Sequence, residues 1–177
     1  MSSTTQTAAL SVEDRLQAME DRIDIYTLMA KYHTISDAFE FKSLVELFTP
    51  DGTFGSGSNM NTVRAFETVD PAKLRGVAET GFAHLNTPPY IKLGKNVAVA
   101  FAYSCVTLHD STAESIEVPQ HGSGRGHRLF SIAANRWDLV RHEGSWKVSR
   151  RELVVCDGSD APRELQRGVL NAVLVEP

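Results

Sequence analysis

Residues 126–156 read GHRLFSIAANRWDLVRHEGSWKVSRRELVVC. The run predicts two long strands, Gly126 to Arg141 and Ser145 to Cys156, joined at His142-Glu143-Gly144 in the spacing of a hairpin. Trp137 and Trp146 fall on neighbouring strands and are expected to pack across them. A further strand precedes the pair. After the tight turn Gly94-Lys95-Asn96, residues Val97, Val99, Phe101, Tyr103 and Cys105 share one face, with Ala98, Ala100, Ala102 and Ser104 on the other. Side chains that small leave room for a helix to lie close, or for something to fit. Between these strands, Asp110 to Arg125 has little apolar content and reads as a mobile loop.

Upstream of the strands the texture is helical. Ser11 with Asp14 three residues on has the form of a capping box, and apolar residues recur at Leu16, Met19, Ile23, Tyr26, Met29 or Ala30, and His33, which predicts one long amphipathic helix to about Ile35. A second, short helix over Phe39 to Phe48 stops at Thr49-Pro50-Asp51-Gly52. Thr53 to Thr68 reads as two short strands around Gly55-Ser56-Gly57-Ser58-Asn59. Asp70-Pro71 supplies an N-cap and a proline at the first helical position, opening a third helix to about Ala83. After Pro162, Leu165 to Leu174 is an amphipathic stretch long enough to cover an opening. Helices, a short hairpin, a helix and then a meander of long strands make an α+β plan rather than an alternating one. A strongly curved mixed or antiparallel sheet wrapped around the long N-terminal helix would form a cone, and its apolar interior suits a small molecule. The expected division is a flexible 1–10, a barrel domain over 11–156, and a tail over 157–177 whose short helix covers the barrel.

Composition narrows the function. The 177 residues carry 18 Lys+Arg against 22 Asp+Glu, a formal charge of −4, and no dense basic run, which argues against nucleic acid or an anionic membrane as the main partner. No stretch of 18 or more apolar residues occurs, and the first ten residues lack the features of a secretory leader, so a cytoplasmic location is expected. Cys105 and Cys156 are too few for a disulfide scaffold and lack zinc-ligand spacing. His121 and His127 flank a glycine-rich segment without a Walker lysine or further ligands, so no metal site and no cofactor are expected.

Two residues carry the chemical interest. Asp37 stands between Ser36 and the apolar pair Ala38-Phe39, where a carboxylate would either cap the next helix or project inward beside Tyr32. His84 falls at the end of the expected third helix, beside the sheet, and is the residue type suited to proton transfer near neutrality. A carboxylate bonded to one imidazole nitrogen fixes the tautomer and makes the other nitrogen a better base.

At this pair the sequence resembles the SnoaL-like branch of the nuclear transport factor 2 superfamily. The resemblance runs over about residues 11 to 156. It rests on Tyr32 to Asp37, Leu47-Phe48-Thr49-Pro50-Asp51-Gly52, His84 to Thr87 and Glu143-Gly144-Ser145-Trp146-Lys147-Val148. In layout the chain is most similar to scytalone dehydratase, hexachlorocyclohexane dehydrochlorinase and bile acid 7α-dehydratase. These enzymes remove a leaving group after a histidine paired with an aspartate takes a proton from carbon. The resemblance implies catalytic roles for His84, Asp37 and Tyr32, and a pocket asparagine at Asn135. His109 is the nearest counterpart of a second pocket histidine, and an arginine role would pass to Arg150 or Arg151. Trp137 shares a face with Asn135, and Phe54 is among the aromatics that divide between core and cavity.

The expected function is therefore a cofactor-independent lyase acting on a small, largely apolar cyclic substrate. The alternatives are a non-catalytic ligand-binding or accessory protein of the same fold, or a polyketide cyclase or ketosteroid-type isomerase. Apolar sheet surface in this superfamily is commonly covered by a second copy, so a homo-oligomer is expected, dimer or trimer.

Overall fold

The computed structural model describes residues 11–176; the segment 1–10, read above as a flexible terminus, lies outside the described residues. The elements run as follows: α1 (Val12–Asp37), α2 (Phe41–Leu44) continuing into a 3-10 turn (Val45–Leu47), β1 (Phe48–Ser56), β2 (Asn59–Thr62), two 3-10 turns (Val63–Thr68 and Pro71–Leu74), and α3 (Arg75–Ala78). There follow β3 (Ala83–Asn86), β4 (Tyr90–Leu93), β5 (Val97–His109), β6 (Ile116–Val118), β7 (Gly122–Gly124), β8 (His127–His142), β9 (Ser145–Val155) and α4 (Ala161–Leu170). Seven strands form one curved sheet in the order β2-β1-β9-β8-β5-β3, with β4 also on β5, while β6 and β7 pair separately. β1 runs parallel to β9 and the other pairings are antiparallel, so the sheet is mixed. This is the expected α+β cone.

The hairpin at its centre follows from turn chemistry. Glu143 and Gly144 both have positive φ, 49° and 79°, as a two-residue turn between right-twisted strands requires. β5 then pairs with β8 along nearly its whole length. Ala98, Ala100 and Ala102 lie opposite Leu139, Trp137 and Asn135, all on the concave face. The small residues of one strand thus make space for the large ones of the next, and for Ile25, Met29 and Tyr32 of α1 above them. Trp137 is fully buried at the middle; truncating it to alanine would cost about 3–5 kcal/mol.

Helix α1 begins where expected: Ser11 accepts from the Asp14 N–H at 3.0 Å. Its buried face is not the expected one. Ile25, Met29, Tyr32 and His33 are buried, together with Asp21, whereas Leu16, Met19, Ile23 and Tyr26 are exposed. The helix carries two apolar faces, and only one meets the core. Asp21 enters the core because Arg141, Trp146 Nε1 and Gln17 all donate to its Oδ1.

Other elements depart from expectation for identifiable reasons. The second helix shrinks to α2 and one 3-10 turn, and Val63–Thr68 coils into a 3-10 turn rather than extending. Asp70 does cap, accepting from Ala72 N–H at 3.0 Å with Pro71 behind it, but the third helix ends at Ala78 because Gly81 turns left-handed (φ 65°). The residues beyond it are drawn into β3 by the edge of β5. The segment read as a loop contains the β6–β7 hairpin. Helix α4 starts four residues before the expected Leu165 and packs on the outer face of the sheet. There Gln166 donates to the Tyr103 hydroxyl, so α4 does not cover the cone's interior. Lys92 Nζ donates to the carbonyls of Leu170 and Ala172 at the end of α4, and Glu176 accepts from the N–H groups of Lys95 and Asn96. No helix among the described residues is long and apolar enough to cross a membrane.

Candidate active site

Asp37 is the last residue of α1, where the helix dipole disfavours a carboxylate. It does not cap α2, whose N-cap is Glu40. Its partner is His84, in β3 opposite Val106 of β5. One carboxylate grips that residue twice: Oδ2 accepts from the His84 backbone N–H at 2.9 Å, and Oδ1 from Nδ1 at 2.5 Å. Both side chains keep some exposure, 27% and 17%. They form part of the wall of a cleft of about 270 Å³, with His33, Tyr26, Asn86 and Ala102 around them. With its proton held on Nδ1 by the carboxylate, the His84 ring offers Nε2 as an acceptor.

His33 also forms part of the cleft wall. Its ring centroid is 5.2 Å from that of His84, and Nδ1 donates to the Met29 carbonyl at 3.2 Å. Burial lowers its pKa to about 4, helped by the charge of Arg151 and by His84. This imidazole therefore stays neutral beside the dyad. The sequence showed it only as one more residue in the periodicity of α1.

Tyr32, Asn135 and Trp137 come together behind the cleft wall rather than in it, with Tyr32 and Trp137 packed against His33 at 5.2 and 6.0 Å between ring centroids. All three are buried, and the first two are joined through Arg151. The Arg151 guanidinium donates to the Tyr32 hydroxyl at 3.1 Å and to Asn135 Oδ1 at 2.7 Å, and it lies over the rings of Tyr32 (4.5 Å) and Trp137 (4.9 Å). Asn135 donates onward to Ser104 Oγ at 2.9 Å. Among the described residues no carboxylate forms an ion pair with Arg151. The Nε of Arg151, Nε1 of Trp137 and Nε2 of His33 are buried without hydrogen-bond partners among the described residues. Arg150, the other candidate, points outward and pairs with Glu152 at 2.7 Å.

Phe54 stacks on Phe66 at 4.0 Å in a second, aromatic cavity of about 500 Å³. Ser36 and Phe82 line that cavity too, and Phe82 packs edge-on against His84 at 4.8 Å, so the two spaces adjoin at the dyad. His109 lies elsewhere. At the exposed end of β5 its ring meets that of His127 at 5.8 Å, and its backbone N–H donates to the Thr80 carbonyl at 2.9 Å. Its Cβ occupies the space a side chain at Gly81 would need. Among the described residues no three His, Cys, Asp or Glu gather as a metal-binding group.

Comparison with known proteins bears on the fold and the family. A family model described as a SnoaL-like domain matches residues 17–152. The chain is similar to the crystal structure of an NTF2-like protein with a cystatin-like fold from Novosphingobium aromaticivorans: 26% identity, 87% of this chain and 94% of that one covered, TM-score 0.71. A protein of unknown function from Mycobacterium tuberculosis shares 18% identity over 92% of this chain and 93% of its own, with TM-score 0.60. A provisionally named scytalone dehydratase from N. aromaticivorans shares 22% identity over 82% and 88%, with TM-score 0.53. At these last two identities the likeness is one of fold. No curated protein matches the sequence.

Proposed function

The chain belongs to the SnoaL-like domain family, which includes dehydratases and cyclases, and on that footing we propose that it is a lyase with His84 as base and Asp37 as its partner. The observation that carries this reading is the double grip of one carboxylate on the backbone and ring of His84 at the wall of a cleft. Such a clamp holds the imidazole in one orientation and one tautomer, and it stabilises the imidazolium once a proton arrives.

The reaction is an elimination from a small, largely apolar cyclic substrate bearing a hydroxyl group β to a carbonyl. His84 Nε2 takes the proton from the carbon beside the carbonyl. The C–H electron pair becomes the new double bond as the C–O bond breaks, and the imidazolium returns its proton to the departing hydroxyl, releasing water and neutral His84. Charge building on the carbonyl oxygen is stabilised by the field of Arg151, a buried cation with no carboxylate partner among the described residues. Tyr32 and Asn135 serve by holding that guanidinium rather than by touching substrate. The phenylalanine-lined cavity adjoining the dyad suits the apolar ring.

The test is a panel of cyclic β-hydroxy ketones followed by mass spectrometry for loss of one water. Asp37→Asn and His84→Ala should each lower turnover by about 10²–10⁴-fold with circular dichroism unchanged; full activity in either variant ends the proposal. Products of unchanged mass would move the assignment to an isomerase or cyclase, which begin with the same deprotonation.

A further inference from the structure

Among the described residues nothing covers one face of α1. Val12, Leu16, Met19, Ile23, Tyr26 and Ala30 recur at alternating steps of four and three residues, the a/d spacing of a coiled-coil seam. All are exposed, the five larger ones between 53% and 72%. At 100° per residue the stripe lies about 130° around the helix from Ile25, Met29 and Tyr32, which enter the core. The sheet borders one flank of the stripe: Arg22 donates to the Ile91 carbonyl of β4 at 3.0 Å, and Tyr26 and Ala30 share a cleft with Thr87 and Pro89, which leaves Val12 to Ile23 as the stretch open to a second molecule.

We propose that this stripe is the seam of a parallel, two-fold pairing of α1 with a second copy of the same chain. The charges beside the seam fix both the occupant and the direction. With Leu16 and Ile23 at position a, Arg15 and Arg22 fall at g, and Glu13 and Glu20 at e. In a parallel pair each g residue faces the e residue of the following heptad, so Arg15 of each copy meets Glu20 of the other. Neither residue forms an ion pair within the fold among the described residues. An antiparallel pair would instead set Arg against Arg and Glu against Glu. The sequence is thus complementary to itself in one orientation only.

The seam also reaches the cleft. Tyr26 and Ala30, its last two residues, line the same space as His84 and Asp37. In the parallel pair both clefts open at one end of the dimer, on either side of the axis, and the second copy stands at each rim. This assembly is independent of the chemistry proposed above.

The experiment is light scattering and sedimentation of the full-length chain at tens of micromolar, expected to give a dimer. Ile23→Glu would bury two like charges in the seam and should weaken the dimer by about 100-fold or more, with an unchanged circular dichroism spectrum because the position is exposed in the protomer, and a thermal transition lowered only by the lost association. Arg15→Glu should weaken it, and Arg15→Glu with Glu20→Arg should restore it. In a Cys105→Ser, Cys156→Ser background, Met19→Cys should oxidise to a disulfide-linked dimer, since parallel seams place position 19 opposite itself. A monomeric or trimeric wild type overturns the proposal, as does an oligomer indifferent to Ile23→Glu. So does cross-linking of Met19→Cys with Ile23→Cys in preference to itself, or dimerisation that appears only when residues 1–10 are removed.

Discussion

His33 and His84 stand side by side, ring centroids 5.2 Å apart, with Nδ1 atoms committed to different acceptors: the Met29 carbonyl for one, the Asp37 carboxylate for the other. Only His84 has an anion against its ring. A proton is therefore disfavoured on His33, which remains an uncharged wall beside the Asp37–His84 contact.

That asymmetry gives stability a pH dependence. His33 titrates at about 4 in the fold against 6.5 in the unfolded chain, so below pH 6.5 the unfolded state binds the extra proton and stability falls as pH drops towards 4. Between pH 7 and pH 5 the wild type should lose about 2 kcal/mol more than His33→Gln, measured by urea denaturation at both values. Parallel curves for the two proteins would count against a neutral buried imidazole.

Asp21 acts in a lower window. Burial opposes its charge, but donation from Arg141, Trp146 and Gln17 outweighs that and holds its pKa below the ordinary carboxylate value. Its contribution is complete above about pH 4 and fades as acid protonates it. Asp21→Asn should cost about 2–4 kcal/mol at pH 7, because it leaves Arg141 without its counter-ion, and should flatten the stability profile below pH 4.

Arg151 and Asn135 should be coupled. Arg151→Met strands Asn135 Oδ1, which now accepts at 2.7 Å, and should cost about 1–3 kcal/mol. Combined with Asn135→Leu the two losses should be less than additive, and a double-mutant cycle on chemical denaturation measures the difference. Strict additivity would mean that the guanidinium and the amide do not share a network.

Gly81 bears on the placing of His84, three residues further on. A Cβ there would sit 2.8 Å from His109 Cβ, on a backbone with φ of 65°. Gly81→Ala should destabilise by about 1–3 kcal/mol and, by shifting β3, reduce turnover further than the loss of folded protein explains. Activity normalised to folded protein separates the two effects.

The sequence was readable wherever a local signal met no rival. Ser11 caps α1, and Glu143-Gly144 turns β8 into β9, because those residues suit their backbone conformations regardless of context. Asp37 and His84 could be paired only through family resemblance, since contact across 47 residues leaves no local trace. Arg151 shows why the rest was hidden. Trp146 and Val148 face inward, so plain alternation sends Arg150 in after them. But Val148 lies opposite Leu139 and Arg150 opposite Asp138, which leaves Ser149 as an extra residue, its hydroxyl donating to the Asp138 carbonyl at 3.0 Å. That bulge reverses the parity and turns Arg151 inward. Likewise Leu16, Met19, Ile23 and Tyr26 have the periodicity of a core face, and periodicity alone does not say whose core.

The row of methyl groups on the inner side of β5 sets the bore of the chamber. Ala102 borders the cleft, while the dyad is anchored on α1 and β3. Trimming that methyl to hydrogen, or growing it to an isopropyl group, would widen or choke the space by single carbons without disturbing the grip of Asp37 on His84. On the proposed reading the scaffold thus keeps its selectivity dial apart from its engine, and related chains could diverge in what they admit while keeping the same histidine and carboxylate.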